Sequence, residues 1–276
     1  MPSTEFHLPI EAPSSSPLDL LAIEASLSRR RVRQAMQKGA VWLSRGPSTR
    51  RLRRERPLQP GDVLHMYYSD TVLDEVPAPL TLIADENTYS LLYKPYGVRS
   101  QGSKWSDHCT VTRWAEQNLL PRRPAFPVHR LDRAASGLIL VAHAKKTATA
   151  LARQFEERSV EKRYRAIVHG RFQPTPEPKL LDAPIEGRDA RTIVTLIAAN
   201  SEGDRSLLDI VIETGRKHQI RRHLSDIGHP VIGDRMYGSP VQDQDLQLTA
   251  WLLAFTCPVS AERKTFQLPE ERMPSL

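Results

Sequence analysis

The sequence predicts an α+β protein built in two unequal parts. Three observations carry that expectation. The 276-residue length suits one large domain or two unequal ones. Leu18 to Tyr68 reads as two short helices and a small hairpin, and in the longer remainder strand patterns outnumber helical ones. With 39% apolar and 26% charged residues the composition is that of an ordinary globular chain, and no apolar run nears the roughly 18 residues of a bilayer-spanning helix. Cys109 and Cys257 lie far apart and make no C-x-x-C pair, so neither a disulfide framework nor a zinc site is indicated. A reducing, cytoplasmic compartment fits.

Residues 1–16 are polar, include three consecutive serines, and lack both a basic start and an apolar h-region. They are expected to form a disordered tail. A first helix follows from the spacing of Leu18, Leu21, Ala22 and Ala25, and Ser28 is placed to cap a second, Arg29 to Lys38, which Gly39 ends. Val32, Ala35 and Met36 give this second helix an apolar stripe and leave Arg29, Arg30 and Arg33 on other faces. Val41 to Leu43 begins a strand, Leu58 to Asp62 a turn, and Val63 to Tyr68 a closing strand, which completes a domain over 17–70. Residues 71–79, with Pro77 and Pro79, read as a linker.

The charge is unevenly placed. Eleven Lys or Arg stand between Arg29 and Arg56 against Glu55 alone, a net +10 where the whole chain carries +7, so the rest is net −3. A small basic module on a near-neutral body is the footprint of a nucleic-acid anchor, with Arg29, Arg30, Arg33 and Lys38 as the candidate contacts. The plainer reading is a solvated face that serves solubility.

Residues 80–276 form the second expected domain. Leu80 to Ala84 and Tyr89 to Tyr93 alternate as strands, and Lys94-Pro95-Tyr96-Gly97 forces a bend. Asp132 then stands among His129, Arg130 and Arg133, just before Gly137 opens the buried-strand pattern Leu138 to Val141. Three basic neighbours favour an ionised, nucleophilic carboxylate; the bland alternative is a turn cap or an arginine partner. Lys145 to Glu157 reads as an amphipathic helix, and Glu161 to Val168 as a strand with Tyr164, Ala166 and Val168 on one face. Ile193 to Ala198 and Leu207 to Ile212 continue the strands, a helix begins near Lys217, a turn-rich loop covers Gly228 to Gly238, and Leu248 to Phe255 is a last apolar segment. A metal centre of His218, His223 and His229 with Asp226 or Asp234 is disfavoured. No His-x-x-x-His pair shares a helix face, and Arg221 and Arg222 would repel a cation.

Four separated motifs now align. They are Lys94-Pro95-x-Gly97; His129-Arg130-Leu131-Asp132 with Ser136-Gly137; Lys162-x-Tyr164; and Gly215-Arg216-x-His218-Gln219-Ile220-Arg221 with Gly233-Asp234-x-x-Tyr237-Gly238. Over residues 80–260 this resembles the RluA family of pseudouridine synthases, and residues 17–68 resemble the αL RNA-binding module of a ribosomal small-subunit protein and several RNA-modifying enzymes. The resemblance implies a mixed, mainly antiparallel β-sheet catalytic domain with flanking helices, no metal, no organic cofactor, and isomerisation of uridine to pseudouridine in RNA. It places the catalytic aspartate at Asp132, the active-site tyrosine at Tyr164 and the aspartate's basic partner at Arg221. Arg130 matches the residue that takes the displaced base's space, and Arg133 is placed to hold backbone phosphate.

For Lys94 two readings stay open, a residue that helps to shape or charge the pocket and is counted among the RNA contacts, and a turn lysine in solvent. His129 and His218 fit hydrogen-bonding roles better than acid-base ones. The chain departs from the family pattern at Ala135, where threonine is usual, at Tyr93, where asparagine is common, and at Thr249, near the end, where histidine is frequent. The attached αL module favours rRNA over tRNA as substrate. A monomer without a required protein partner and away from membranes is the default, and a non-catalytic RNA-binding or assembly protein is the alternative.

Overall fold

The computed structural model describes residues 3–14, 16–239 and 244–276. The chain divides into two compact units, Met1–Ala78 with Gln101–Gln117, and Pro79–Ser100 with Asn118–Leu276.

In the first unit β1 (Thr4–Pro9), α1 (Pro17–Glu24), α2 (Arg29–Gln37), β2 (Val41–Arg45), β3 (Ser48–Arg51), β4 (Val63–Tyr68) and the single turn α3 (Asp70–Leu73) follow in order. The strands form one sheet, β1-β4-β2-β3. Both longer helices start on serine caps: Ser16 Oγ accepts from the Asp19 N–H at 3.1 Å and Ser28 Oγ from the Arg31 N–H at 3.3 Å. The apolar stripe of α2, Val32, Ala35 and Met36, packs into one core with Leu18, Leu21, Leu64 and Met66.

Three expected boundaries change. The tail is not disordered where it is described: β1 pairs antiparallel with β4, Phe6 opposite Met66. Its Phe6, Leu8 and Ile10 alternate, and Pro9 is tolerated because β1 lies at the sheet edge. The linker is shorter than expected, since α3 sends Leu73, 1% exposed, into the first core. Residues 80–276 are not one body, because Gln101–Gln117 folds with the first unit. Asp107 anchors that excursion. Its carboxylate pairs with Arg53 and lies 3.2 Å from Arg51 Nε, while its N–H donates to the Lys38 carbonyl at 3.1 Å.

The second unit opens with β5 (Thr81–Asp85) and β6 (Tyr89–Lys94), and the excursion ends in α4 (Val111–Asn118). Then come β7 (Phe126–Pro127), β8 (Ser136–Ala142), α5 (Lys145–Glu156), β9 (Glu161–His169), β10 (Lys179–Leu181), β11 (Thr192–Ala199), β12 (Arg205–Ile212), α6 (Gln219–Asp226), β13 (Leu248–Thr256) and β14 (Arg263–Gln267). They build a sheet in the order β10-β11-β12-β9-β13-β8-β6-β5, with β14 added to β13 and β7 to β8. Its pairings are antiparallel except β13 with β8, the mixed, mainly antiparallel architecture that was expected. Leu151 of α5 covers Leu138 and Leu140 in a core shared with Phe255. No helix among the described residues is long and apolar enough to cross a membrane.

The register around β13 aligns the strands on either side of it. Ala250 lies opposite Gly137 of β8 on one side and opposite Tyr164 of β9 on the other. Gly137 has φ +119°, and a Cβ there would stand 2.5 Å from the Ala250 nitrogen and closer to its carbonyl oxygen. Only glycine lets the two strands meet at this point. Gly137→Ala is therefore expected to destabilise the fold by about 2–4 kcal/mol, from the strain of a positive φ plus overpacking, as read by urea denaturation. A midpoint equal to wild type would show that β8 and β13 do not need this approach.

Candidate active site

Asp132 sits in the loop that leads into β8, and two bonds to Ser100 fix that loop. Ser100 Oγ donates to the Leu131 carbonyl at 2.7 Å and accepts from the Leu131 N–H at 2.9 Å. The bend after β6 grips the same loop, with the Gly97 N–H on the Arg133 carbonyl at 2.9 Å and Arg133 Nε on the Gly97 carbonyl at 3.0 Å. Lys94 closes this arrangement from inside. It is fully buried, and its ammonium donates to the carbonyls of Val98, Pro95 and Arg133 at 3.0, 3.2 and 3.3 Å. Burial pushes its pKa down to about 7, against the pull of the nearby Asp132 charge. Lys94 thus shapes the loop from within. Its burial corrects the expected RNA contact and the solvent lysine, and fits the expected shaping role.

The Asp132 carboxylate, 22% exposed, lies 3.5 Å from Arg221 Nη1 and 3.9 Å from His218 Nε2. Arg221 is held in place by a residue to which the sequence reading gave no role. Asp234 takes the Arg221 Nε and Nη2 hydrogens at 2.7 Å each and also accepts from the N–H groups of Met236 and Tyr237 at 2.9 and 3.0 Å. Burial works against both charges, but their mutual bonds outweigh it, so Arg221 is raised and Asp234 lowered from their ordinary values. The signal for Asp234 was present in Gly233-Asp234-x-x-Tyr237-Gly238, and only the fold shows that this turn faces α6. Tyr237 also presents its ring 5.1 Å from the Arg221 guanidinium and its hydroxyl 2.9 Å from His218 Nδ1.

Tyr164 enters from β9, where alternation buries Lys162, Tyr164, Ala166 and Val168. Burial first, and the Asp132 charge second, push its hydroxyl up, so it stays protonated and able to donate. His218, in a left-handed conformation with φ 56°, is held below its ordinary pKa by burial although Asp132 pulls the other way. His129 Nε2 accepts from the Leu140 N–H at 3.0 Å and its ring stacks on Phe155; burial first, and the Lys162 charge second, push its pKa down to about 3, so the ring is neutral. Both histidines take the hydrogen-bonding roles expected. Thr249, one of the departures from the family pattern, bonds the Ser136 hydroxyl at 2.7 Å beside the Asp132 loop.

Together these groups line a cavity of about 590 Å³. Its wall carries six cations, Arg130, Arg158, Lys162, Arg216, Lys217 and Arg221, against the three carboxylates Asp132, Glu156 and Glu213. Arg130 and Arg133 are exposed, and of these two Arg130 lines the cavity. In the first unit Arg29, Arg30 and Arg33 are exposed on α2, with Arg29 paired to Asp19, while Lys38 is half-buried and donates to the Leu73 carbonyl. Among the described residues no group of three or more His, Cys, Asp or Glu is placed to hold a metal. His223 is committed instead to Thr192 Oγ1 and the Ala183 carbonyl, each at 2.9 Å.

A carboxylate set against a buried arginine and a protonated tyrosine, in a cationic cavity on a mixed sheet, defines an enzyme that acts on an anionic substrate. Known proteins with similar sequences and folds narrow that class. The profile of the RNA pseudouridylate synthase family matches residues 88–226. The dual-specificity RNA pseudouridine synthase RluA of Salmonella typhimurium is 32% identical over 210 residues, 70% of this chain and 94% of that one. An RNA pseudouridine synthase of Synechocystis is 32% identical over 197 residues, 66% of each chain. The solved human RNA pseudouridylate synthase domain containing 1 superposes with a TM-score of 0.58 at 24% identity, covering 71% of this chain and 86% of its own. The chain belongs to the RluA family of RNA pseudouridine synthases.

The Arg221–Asp234 pair is testable by itself. Asp234→Asn leaves a buried guanidinium without its nearer counter-charge, only Asp132 remaining at 3.5 Å, which costs about 3 kcal/mol of stability. The folded carboxyl titrates below its unfolded value of 3.8. Its contribution is therefore present above about pH 4 and lost as the pH falls through the folded pKa. Acid unfolding curves of the variant should accordingly be flatter than wild type below pH 4. Equal curves would mean that the pair carries no stability.

Proposed function

We propose that the chain converts particular uridines of large-subunit rRNA to pseudouridine, with Asp132 as the nucleophile. The observation that carries this reading is the partly exposed Asp132 carboxylate at the cavity wall, 3.5 Å from the buried Arg221. In the isomerisation the N1–C1′ bond breaks, a C5–C1′ bond forms, and a proton passes from C5 to N1, so no other reactant is consumed. Arg221 sets a buried positive charge beside the Asp132 carboxylate. Tyr164 stacks on the uracil and offers its protonated hydroxyl to the turning base. The base must first leave its stack, at about a few kcal/mol, and Arg130 at the cavity wall fills the space it vacates while Arg133 holds the backbone. The basic first unit, through the exposed Arg29, Arg30 and Arg33, would add sequence-independent affinity in a reducing, cytoplasmic setting.

Its basic first unit supports rRNA. The name dual-specificity carried by relatives such as the Salmonella enzyme makes tRNA the second class to assay. The deciding experiment maps pseudouridine by carbodiimide-dependent primer-extension stops in total RNA from cells with and without the gene, rescued by wild type or by Asp132→Asn. A stop in large-subunit rRNA restored only by wild type is expected. A lost stop confined to tRNA would keep the reaction and overturn the substrate, and restoration by Asp132→Asn would falsify the assigned nucleophile.

The anchor calls for a charge variant rather than a truncation, since Gln101–Gln117 folds with the first unit. Replacing Arg29, Arg30 and Arg33 together by glutamine should weaken RNA binding and make the slope of log affinity against log salt shallower by roughly two. An unchanged slope would place the electrostatic contact elsewhere.

A further inference from the structure

One buried charge in the cavity wall has no part in the isomerisation itself. Lys162 is 9% exposed and lines the cavity two residues before Tyr164 on the same buried face of β9. Among the described residues its ammonium makes no hydrogen bond or salt bridge, and it stands 5.9 Å from the Phe155 ring centroid. Arg158, also in the cavity wall, is exposed and likewise lacks an ion pair among the described residues. Glu156, the acidic residue of the wall nearest to them in sequence, is exposed and not within salt-bridge distance of either.

The Lys162 side chain is largely buried, but its ammonium is not among the fully enclosed polar atoms and so opens to the cavity, a cation with no protein counter-charge among the described residues. Burial, and next the Arg158 charge, lower the pKa of Lys162. The Asp132 charge acts on Lys94, Tyr164, His218 and Arg221, while Lys162 answers to Arg158 instead. The cavity therefore has a carboxylate centre and, apart from it, an uncompensated cationic one.

We propose that Lys162, with Arg158 at the rim, binds a backbone phosphate next to the target uridine. This rests on the reading of the cavity as the uridine site. An anion supplies the missing counter-charge, and in an RNA substrate that anion is a phosphodiester. The placement fits: alternate residues on a strand stand about 7 Å apart, so a uracil on Tyr164 brings its sugar-phosphate toward Lys162. The phosphate thereby fixes which nucleotide is presented to Asp132, and the site acts in positioning rather than in bond breaking.

The test uses unmodified transcripts of large-subunit rRNA and of tRNA, with pseudouridine formation as the assay. Lys162→Met keeps the unbranched stem and removes the charge. It should raise KM about ten-fold with kcat within three-fold of wild type, and lower the salt slope of kcat/KM by about one. Lys162→Arg should restore both. Removing a lone buried cation should also leave the Lys162→Met melting temperature equal to or above wild type, whereas a lysine needed for packing would lower it. Wild-type KM and salt slope in Lys162→Met, or a loss confined to kcat, would overturn the proposal. Wild type inactive on both transcripts, or Asp132→Asn active, would instead sink the underlying reading of the cavity.

Discussion

The site depends on one guanidinium that answers to two carboxylates. Arg221 is 5% exposed and could not stay there unpaired. Asp234, 1% exposed, takes two of its donor positions at 2.7 Å and is itself fixed by two backbone N–H groups. Nη1, which Asp234 does not take, faces Asp132 at 3.5 Å. This division separates structure from reactivity. A tight, dry pair holds the arginine, and a longer contact sets its positive charge beside Asp132 without a close bond to the carboxylate. On the proposed reading of Asp132 as nucleophile, an arginine bound directly and bidentately to it would work against the reaction by occupying both carboxylate oxygens.

Holding the partners together is a matter of strand order. Asp132, Tyr164 and Arg221 come from the loop before β8, from β9 and from α6 after β12. Inserting β13 between β8 and β9 sets Gly137, at the start of β8 just after the Asp132 loop, and Tyr164 to either side of Ala250. That insertion needs a backbone contact only glycine permits, so Gly137 belongs to the site although it touches none of its reacting groups. Lys94 acts similarly from the other direction, its charge spent on three carbonyl oxygens that fold the Asp132 loop.

Much of this was legible in the sequence because it is local. Serine caps, the stripe of α2, the alternation of β9 and the motif carrying Asp132 each depend on residues a few positions apart. The expected Arg29 to Lys38 helix appears as Arg29–Gln37. What was not legible depends on partners distant in sequence. Asp234 reads as a turn aspartate until it meets Arg221, and Asp107 as a loop residue until it meets Arg51 and Arg53. The edge strand β1 is hidden by Pro9, which discourages a strand reading and is harmless at an edge.

Charge is where counting misleads most. The run from Arg29 to Arg56 suggests a uniformly basic surface, yet Arg45 is taken by Asp62, Arg51 and Arg53 by Asp107, and Arg31 by Asp70 and Asp74. Several of these arginines hold the first unit together, and the cations of α2 that project outward are fewer than the composition implies. In the second unit the reverse holds. A near-neutral composition conceals a cavity whose wall has twice as many cations as carboxylates. An electrostatic footprint is therefore set by which charges the fold leaves unpaired. By that measure the cavity is a stronger attractor for a polyanion than the net charge of its unit suggests, and Lys162, buried and unpaired among the described residues, is its most telling member.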